Sequence, residues 1–467
     1  MTTDLADCSA SELLRLYRRR EASPVEAVAA CLDRIGRLGT DFGAFCLVDT
    51  EGAAAAARAA EARWLAGRPQ GLIDGVPTTV KDLVLVEGWP TRRGSLTTEA
   101  DPPAPADAPA VARLRAQGAV LLGKTTTPEF GWKGVTDNPR GDVARNPWNP
   151  AMTPGGSSGG AAVAAALGMG ALHIGTDGGG SIRIPAGFSG IVGLKPTFGR
   201  VAAWPASPFG TVAHLGPMTR TVADCALMLT AMSGPDPRDW LASPDGAIDP
   251  RIGLDAGVAG LRIAYSPTLG YARIDAEVAA AVARGVDRLA ALGAVVERRD
   301  PGFASPWRIF ERTWFPGAAV VVDAVAASQR ERLDPGLRRV AEIGAAMSVV
   351  DVQRAARERA ELAIAMQLFF EEVDLLVTPT LPITAFPVGL EHPNADAEWV
   401  EWTPFSYPFN LTQQPAISVP CGLSAAGLPI GLQIVGAKHA DALVLRAARA
   451  FESATPFAMP PLPAGRG

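Results

Sequence analysis

Histidine and cysteine are scarce in this chain, and charge is low for its length. Among 467 residues there are four histidines and five cysteines. The cysteines (Cys8, Cys31, Cys46, Cys225 and Cys421) are odd in number and never fall in a CxxC pair. That excludes a disulfide framework and a thiolate zinc site, and reads as reduced thiols in a cytoplasmic protein. Charged residues make up 19% and the formal net charge is −5, with both signs spread along the chain. There is no basic stripe for a nucleic-acid backbone and no polybasic patch for a membrane surface. No apolar run reaches the about 18 residues a membrane helix needs. The opening MTTDLADCSASELL contains acidic residues and no apolar run of leader length. No His/Asp/Glu/Cys cluster has metal-ligand spacing, so neither metal nor cofactor is expected.

What is present is apolar: 48% of residues are hydrophobic, enough for a sizeable core. Ser9 with Glu12 forms a capping-box pattern ahead of Leu13, Leu14, Leu16 and Tyr17. A second helix start is written in Ser23-Pro24-Val25-Glu26, and an alanine-rich helix runs from about Glu51 to Leu65. Residues 1–65 therefore read as a helical segment. After Pro69, short β-like runs (Val76 to Val86, Ala119 to Lys124, Leu172 to Gly175) alternate with helices and glycine-rich turns, the pattern of an α/β fold. Later strands are expected at Leu261 to Tyr265, Asp374 to Val377, Ala416 to Val419 and Ile430 to Val435. A helix is expected at Asp275 to Leu292, and a closing one capped by Asp441 through Phe451. The Pro/Gly/Asp-rich stretch Ser233 to Asp255 reads as a loop joining two halves of one sheet. The expectation is one domain over 1–467, with a Gly/Ser-rich core at 70–200 and a variable region with closing strands and helix at 256–467.

Two loops carry the chemistry. TPGGSSGG (Thr153 to Gly160) leads into an alanine-rich helix, placing Ser157 and Ser158 near its N-terminus. GTDGGGSIR (Gly175 to Arg183) sets three glycines before Ser181. Consecutive glycine N–H groups can form a nest for an anion, which beside a nucleophilic serine is the oxyanion of acyl transfer. A serine hydroxyl needs a base, and none of His173, His214, His392 or His439 lies in a motif pairing it with a serine and a carboxylate. Lys81, in the mainly uncharged GVPTTVKDL, can act if burial lowers its pKa; a solvated or ion-paired lysine is the alternative.

The lysine segment, the NPWNP run, both loops and GLKPT (Gly193 to Thr197) follow one another in an order that resembles the amidase signature family. The resemblance is strongest from Leu72 to Arg200 and returns in TPFSYPFNLTQQPAISVPCG and LPIGLQIVG. It implies a single large α/β domain whose central mixed β-sheet is covered by helices on both faces. It also implies a Ser–cisSer–Lys triad with Ser181 as nucleophile, Ser157 as bridging serine on a cis peptide, and Lys81 as base. The backbone N–H groups of Gly178, Gly179, Gly180 and Ser181 would hold the oxyanion. Ser158 is the rival for the bridging position and takes a supporting hydrogen-bonding role, while Asp177 and Arg183 would fix the loop. The family usually carries a hydroxyl residue where this chain has Gly178, so a side-chain hydrogen bond is lost there while backbone donation survives.

The resemblance implies hydrolysis of a small-molecule amide or carbamate, with homodimerisation left open. Phe130, Trp132 and Val135 lie in a segment that lines the acyl pocket in the family. Trp399, Trp402, Phe405, Tyr407 and Phe409 are candidates for an aromatic pocket if they converge on Ser181; core packing is the alternative. Two other functions stay open: the glutamine-hydrolysing component of a tRNA-dependent amidotransferase, and a non-catalytic binding relative. The literal phosphate-loop match GAVLLGKT (Gly118 to Thr125) is expected to be a strand, because its middle residues are Ala-Val-Leu-Leu and no helix follows.

Overall fold

The computed structural model describes residues 4–394 and 399–462. The outermost residues of the 1–65 and 256–467 segments therefore lie outside the description, as do residues 395–398. The first half of the chain supplies β1 (Phe45–Val48), β2 (Pro77–Lys81), β3 (Val120–Thr125), β4 (Leu172–Asp177), β5 (Val192–Lys195) and β6 (His214–Thr219). The second half supplies β7 (Arg262–Tyr265), β8 (Val295–Arg298), β9 (Leu375–Pro379), β10 (Ala416–Leu423) and β11 (Pro429–Gly436). All join one 11-stranded sheet in the order β1-β3-β2-β4-β6-β5-β10-β11-β9-β7-β8. The sheet is mixed: β2 runs parallel to β3 and β4, and β7 to β8 and β9, while the other pairs are antiparallel.

The central strands are buried because both faces are covered. Every residue of β2, β3, β9 and β11 is buried. The helices of the first half are α1 (Ala10–Arg19), α2 (Pro24–Phe42), α3 (Thr50–Leu65), α4 (Pro109–Ala116), α5 (Gly159–Ala166), α6 (Arg183–Ser189) and α7 (Val222–Met232). Those of the second are α8 (Ala276–Ala291), α9 (Trp307–Asp323), α10 (Pro335–Ala345), α11 (Val349–Glu372), α12 (Pro408–Leu411) and α13 (Asp441–Ala454). Adjacent strand residues point to opposite faces. Leu432 meets Gly285 of α8 on one side, and Gly431 meets Gly187 of α6 on the other. Helices thus flank both faces of the sheet.

The capping box read at Ser9/Glu12 forms, and the helix start read at Ser23 carries a second one with Glu26. The segment 1–65 is not wholly helical, because β1 pairs antiparallel with β3 at the sheet edge. The run Val76 to Val86 is a strand only as far as Lys81. Asp441 does not cap its helix. It is the first helical residue, buried, and its carboxylate accepts from Thr197 N at 2.8 Å and Thr197 Oγ1 at 2.7 Å and pairs with Arg200 at 3.5 Å. The phosphate-loop match is β3, with buried Lys124 paired to Asp82 at 3.3 Å.

Candidate active site

Lys81 ends β2 and Thr176 and Asp177 end the parallel neighbour β4, so all three reach the same edge of the sheet. Open α/β sheets bind ligands at the carboxyl ends of parallel strands. Lys81 is 0% exposed, and its Nζ lies 2.7 Å from Ser157 Oγ, 2.9 Å from Ser158 Oγ and 2.9 Å from Thr176 Oγ1. Among the described residues no carboxylate is paired with it. Burial therefore dominates and holds the lysine pKa well below its ordinary value, against a weaker upward pull from the charge of Asp177.

Ser157 and Ser158 stand where α5 begins, and the Gly156–Ser157 peptide is cis. Thr136 ties this loop down, its Oγ1 donating to Gly155 O at 2.8 Å and accepting from Gly159 N at 3.1 Å. Gly156 rests against the Val135 backbone with no room for a side chain. The Ser158 hydroxyl bridges to β4, donating to Thr176 O at 3.1 Å and accepting from Thr176 N at 3.2 Å. The two serine loops are joined directly, since Ser158 N donates to Ser181 O at 3.1 Å.

The Ser181 loop is built around a buried ion pair. Arg183 Nη2 lies 3.0 Å from Asp177 Oδ1 and Arg183 Nε 3.0 Å from Oδ2, with both side chains 0% exposed. Burial alone would raise the Asp177 carboxyl, but Arg183 and Asn410 outweigh it and hold the group well below the usual carboxylate range. Asp177 Oδ1 accepts from Gly180 N at 2.8 Å. This corrects the expected oxyanion hole: the Gly180 N–H is committed to Asp177. The N–H groups of Gly178, Gly179 and Ser181 have no acceptor among the described residues. Of the three glycines, only Gly180 is left-handed, at φ 128°.

The far end of the chain holds this loop in place. Arg183 Nη1 donates to Ser406 O and to Gln433 Oε1, both at 2.9 Å, and Nη2 donates to Asn410 Oδ1 at 2.6 Å. Asn410 Nδ2 donates to Asp177 O at 2.9 Å, and Ser406 Oγ donates to Gly179 O at 2.6 Å. Sequence reasoning missed Thr176, Ser406, Asn410 and Gln433. The available signal was a polar residue inside an apolar run, as with Asn410 in PFNL and Gln433 in IGLQIVG.

Ser157, Thr176, Gly178 and Ser181 open into one cavity of about 250 Å³. Its aromatic walls are Phe130, Trp204, Phe209 and Trp314, and among the described residues Arg93 is the one lysine, arginine, aspartate or glutamate on its lining. Of the aromatics expected there, Phe130 alone reaches the wall. Trp132, Trp399 and Tyr407 pack in one buried cluster, Phe405 and Phe409 in a second, and Val135 and Trp402 in a third. Phe405 and Phe409 pack between α11 and the sheet, whereas the others sit among helices and loops. What these residues offer the site is backbone: Phe405 O accepts from Gln433 Nε2 at 2.8 Å, and Trp132 O accepts from Trp314 Nε1 at 3.1 Å. Behind Phe130, the carboxylate of Glu129 accepts from Ser95 Oγ and Asp334 N, and burial pushes its pKa up to about 7.

His214 also borders the cavity, but its Nδ1 faces two carbonyls, Val212 O at 2.7 Å and Asp177 O at 3.2 Å. That nitrogen must carry the proton. Neither it nor His173, which bonds Thr79 Oγ1 at 2.8 Å, contacts a serine of the site. No group of three or more His, Cys, Asp or Glu among the described residues is arranged to hold a metal ion, and no helix there is long and apolar enough to cross a membrane.

The Amidase family profile matches residues 26–445. An acylamidase from Rhodococcus erythropolis is 38% identical over 459 residues, covering 96% of each chain. The A component of a glutamyl-tRNA(Gln) amidotransferase from Salinispora arenicola is 37% identical over 493 residues, covering 98% of this chain and 100% of its own. Among solved structures, a bacterial aryl acylamidase of the amidase signature enzymes superposes with a TM-score of 0.89 at 30% identity, covering 96% of both chains. The chain belongs to the amidase signature family and is an amidase, a hydrolase of carbon–nitrogen bonds other than peptide bonds.

Proposed function

We propose that this amidase cleaves small amides bearing an apolar or aryl group, with carbamates and esters as chemically adjacent substrates, through an acyl-enzyme on Ser181. The observation that carries the reading is the contact of Lys81 Nζ with Ser157 Oγ at 2.7 Å, fully buried and bordering the cavity that Ser181 lines. Neutral Lys81 takes the Ser157 proton as Ser157 takes that of Ser181, and Ser181 Oγ bonds to the substrate carbonyl carbon. The oxyanion is held by the free N–H groups of Gly178, Gly179 and Ser181. The proton returns through Ser157 to the leaving nitrogen, the C–N bond breaks, and water hydrolyses the ester by the same relay. Among the described residues the Ser181 hydroxyl has no hydrogen bond, so no protein partner holds it away from Ser157. Catalytic hydrogen bonds tighten on substrate binding. Five free cysteines fit action in a reducing compartment.

A second reading, the glutaminase component of an amidotransferase, is favoured by the 37% identical relative. A free amino acid needs a carboxylate for its ammonium, and among the described residues the cavity lining holds no aspartate or glutamate. The test is a hydrolysis panel of primary amides, anilides, carbamates, esters and glutamine, with Ser181→Ala as the blank. Turnover of anilides and amides without glutamine supports the first reading. Glutamine turnover alone, or appearing only with a partner protein, replaces it with the second. Undiminished activity in a folded Ser181→Ala protein removes the proposed nucleophile.

A further inference from the structure

Phe310 and Trp314 stand four residues apart on α9, so they share a face, and that face lies on the nucleophile loop. A Cβ placed on Gly178 would meet Trp314 Cζ3 at 2.6 Å and Cη2 at 2.9 Å. One placed on Gly179 would meet Phe310 Cζ at 2.7 Å. Neither glycine is left-handed. Glycine is needed at both positions for space and not for its dihedral freedom.

Trp314 is held firmly. Its Nε1 donates to Trp132 O at 3.1 Å, and its ring stacks on Phe209 with centroids 3.8 Å apart and planes 12° apart. Phe310 backs it with centroids at 5.4 Å. The indole is 3% exposed, and what remains accessible lines the same cavity as Gly178 and Ser181. A close-packed stack of this kind yields little to a misfitting group.

We propose that Trp314 is a specificity-determining residue. Seated where a side chain at position 178 would project, it narrows the cavity beside the scissile carbonyl to a slot for a planar substituent. Substituents branched at the atom next to the amide group are rejected. The inference rests on the reading of Ser181 as nucleophile and extends it to a substrate shape. Flat rings lie against Trp314, Phe209 and Phe130, whereas a quaternary carbon must displace a ring fixed by stacking and by a hydrogen bond.

Two matched substrate pairs test this by kcat/KM: benzoyl against pivaloyl 4-nitroanilide for the acyl side, and N-phenyl against N-tert-butyl acetamide for the amine side. The wild type is expected to prefer the planar member by roughly tenfold or more in at least one pair. Trp314→Ala should lower that preference by about the same factor, by gaining the branched member. Trp314→Leu serves if the alanine variant does not fold. In addition, Gly178→Ala should cut activity on the planar substrate, and much less so in the Trp314→Leu background, because the added methyl then has room. A folded, active Trp314 variant with unchanged ratios in both pairs overturns the slot alone. A wild type inactive on every amide overturns the slot and the Ser181 reading together.

Discussion

Lys81 suits the proposed role of base because it is dry. Three hydroxyls surround its nitrogen and no anion among the described residues pairs with it, so burial favours the neutral amine. Protonation at low pH removes the lone pair, so kcat/KM should fall on acidification through the depressed Lys81 pKa. A profile flat down to about pH 5 would contradict a lysine base. Lys81→Met should cost about 10²–10⁴-fold in kcat, the usual contribution of a general base, in a single-turnover assay. Stability carries the same signature. The unfolded lysine holds its proton up to about pH 10.4 while the buried one releases it sooner. Between those two pKa values the unfolded state binds more protons, so stability rises with pH. A Tm series from neutral to alkaline pH should therefore show a steeper gain for the wild type than for Lys81→Met. Asp177 makes the opposite case, a charge that must stay. Asp177→Asn leaves Arg183 buried with its neutralising partner gone, a change expected to cost about 3–5 kcal/mol. Because Asp177 also orients Gly180 N, the denaturation midpoint and kcat should fall together.

Elements whose determinants are local were legible in the sequence. The two capping boxes, Pro24 at a helix start and the alanine-rich α3 lie within a few residues of their causes. Strand β1 was not legible. Its four residues alternate between half-buried and exposed, and only pairing with β3 makes them a strand. The helix α9 was equally hidden as a wall of the site, since its importance depends on what Gly178 and Gly179 leave open. Asp441 shows how a local rule misleads: an acid before an apolar helix reads as a cap, yet it anchors the GLKPT segment through Thr197 and Arg200. Loss of a cap costs about 1 kcal/mol, whereas removal of one partner from a buried pair costs about 3–5 kcal/mol. Asp441→Ala should fall in the higher range by urea unfolding, and a loss near the lower figure would return the residue to a capping role.

At the scale of the molecule, the two halves of the chain are stitched by one hairpin. Strands β10 and β11 insert between β5 and β9, so the sheet is continuous although the chain crosses from one half to the other through the loop around Ser233 to Asp255. Ile252 in that loop is 80% exposed. A specific protease site introduced there and cleaved should leave two fragments that co-elute at the intact size and keep amidase activity. Fragments that separate would show that the connection, and not the sheet, holds the halves together. By itself the sequence determined the reactive alphabet: a glycine-flanked serine, a second serine loop, a lysine and no suitable histidine. These are short motifs whose backbone and chemistry are set within a few residues. Only the tertiary structure decided which aromatics line the cavity, which loop N–H groups lack an acceptor among the described residues and that Lys81 is dry. Lys81 is buried against partners 76 to 95 positions away and Trp314 is pinned by a carbonyl 182 positions away, and burial is a property of the packed chain, not of any segment of it.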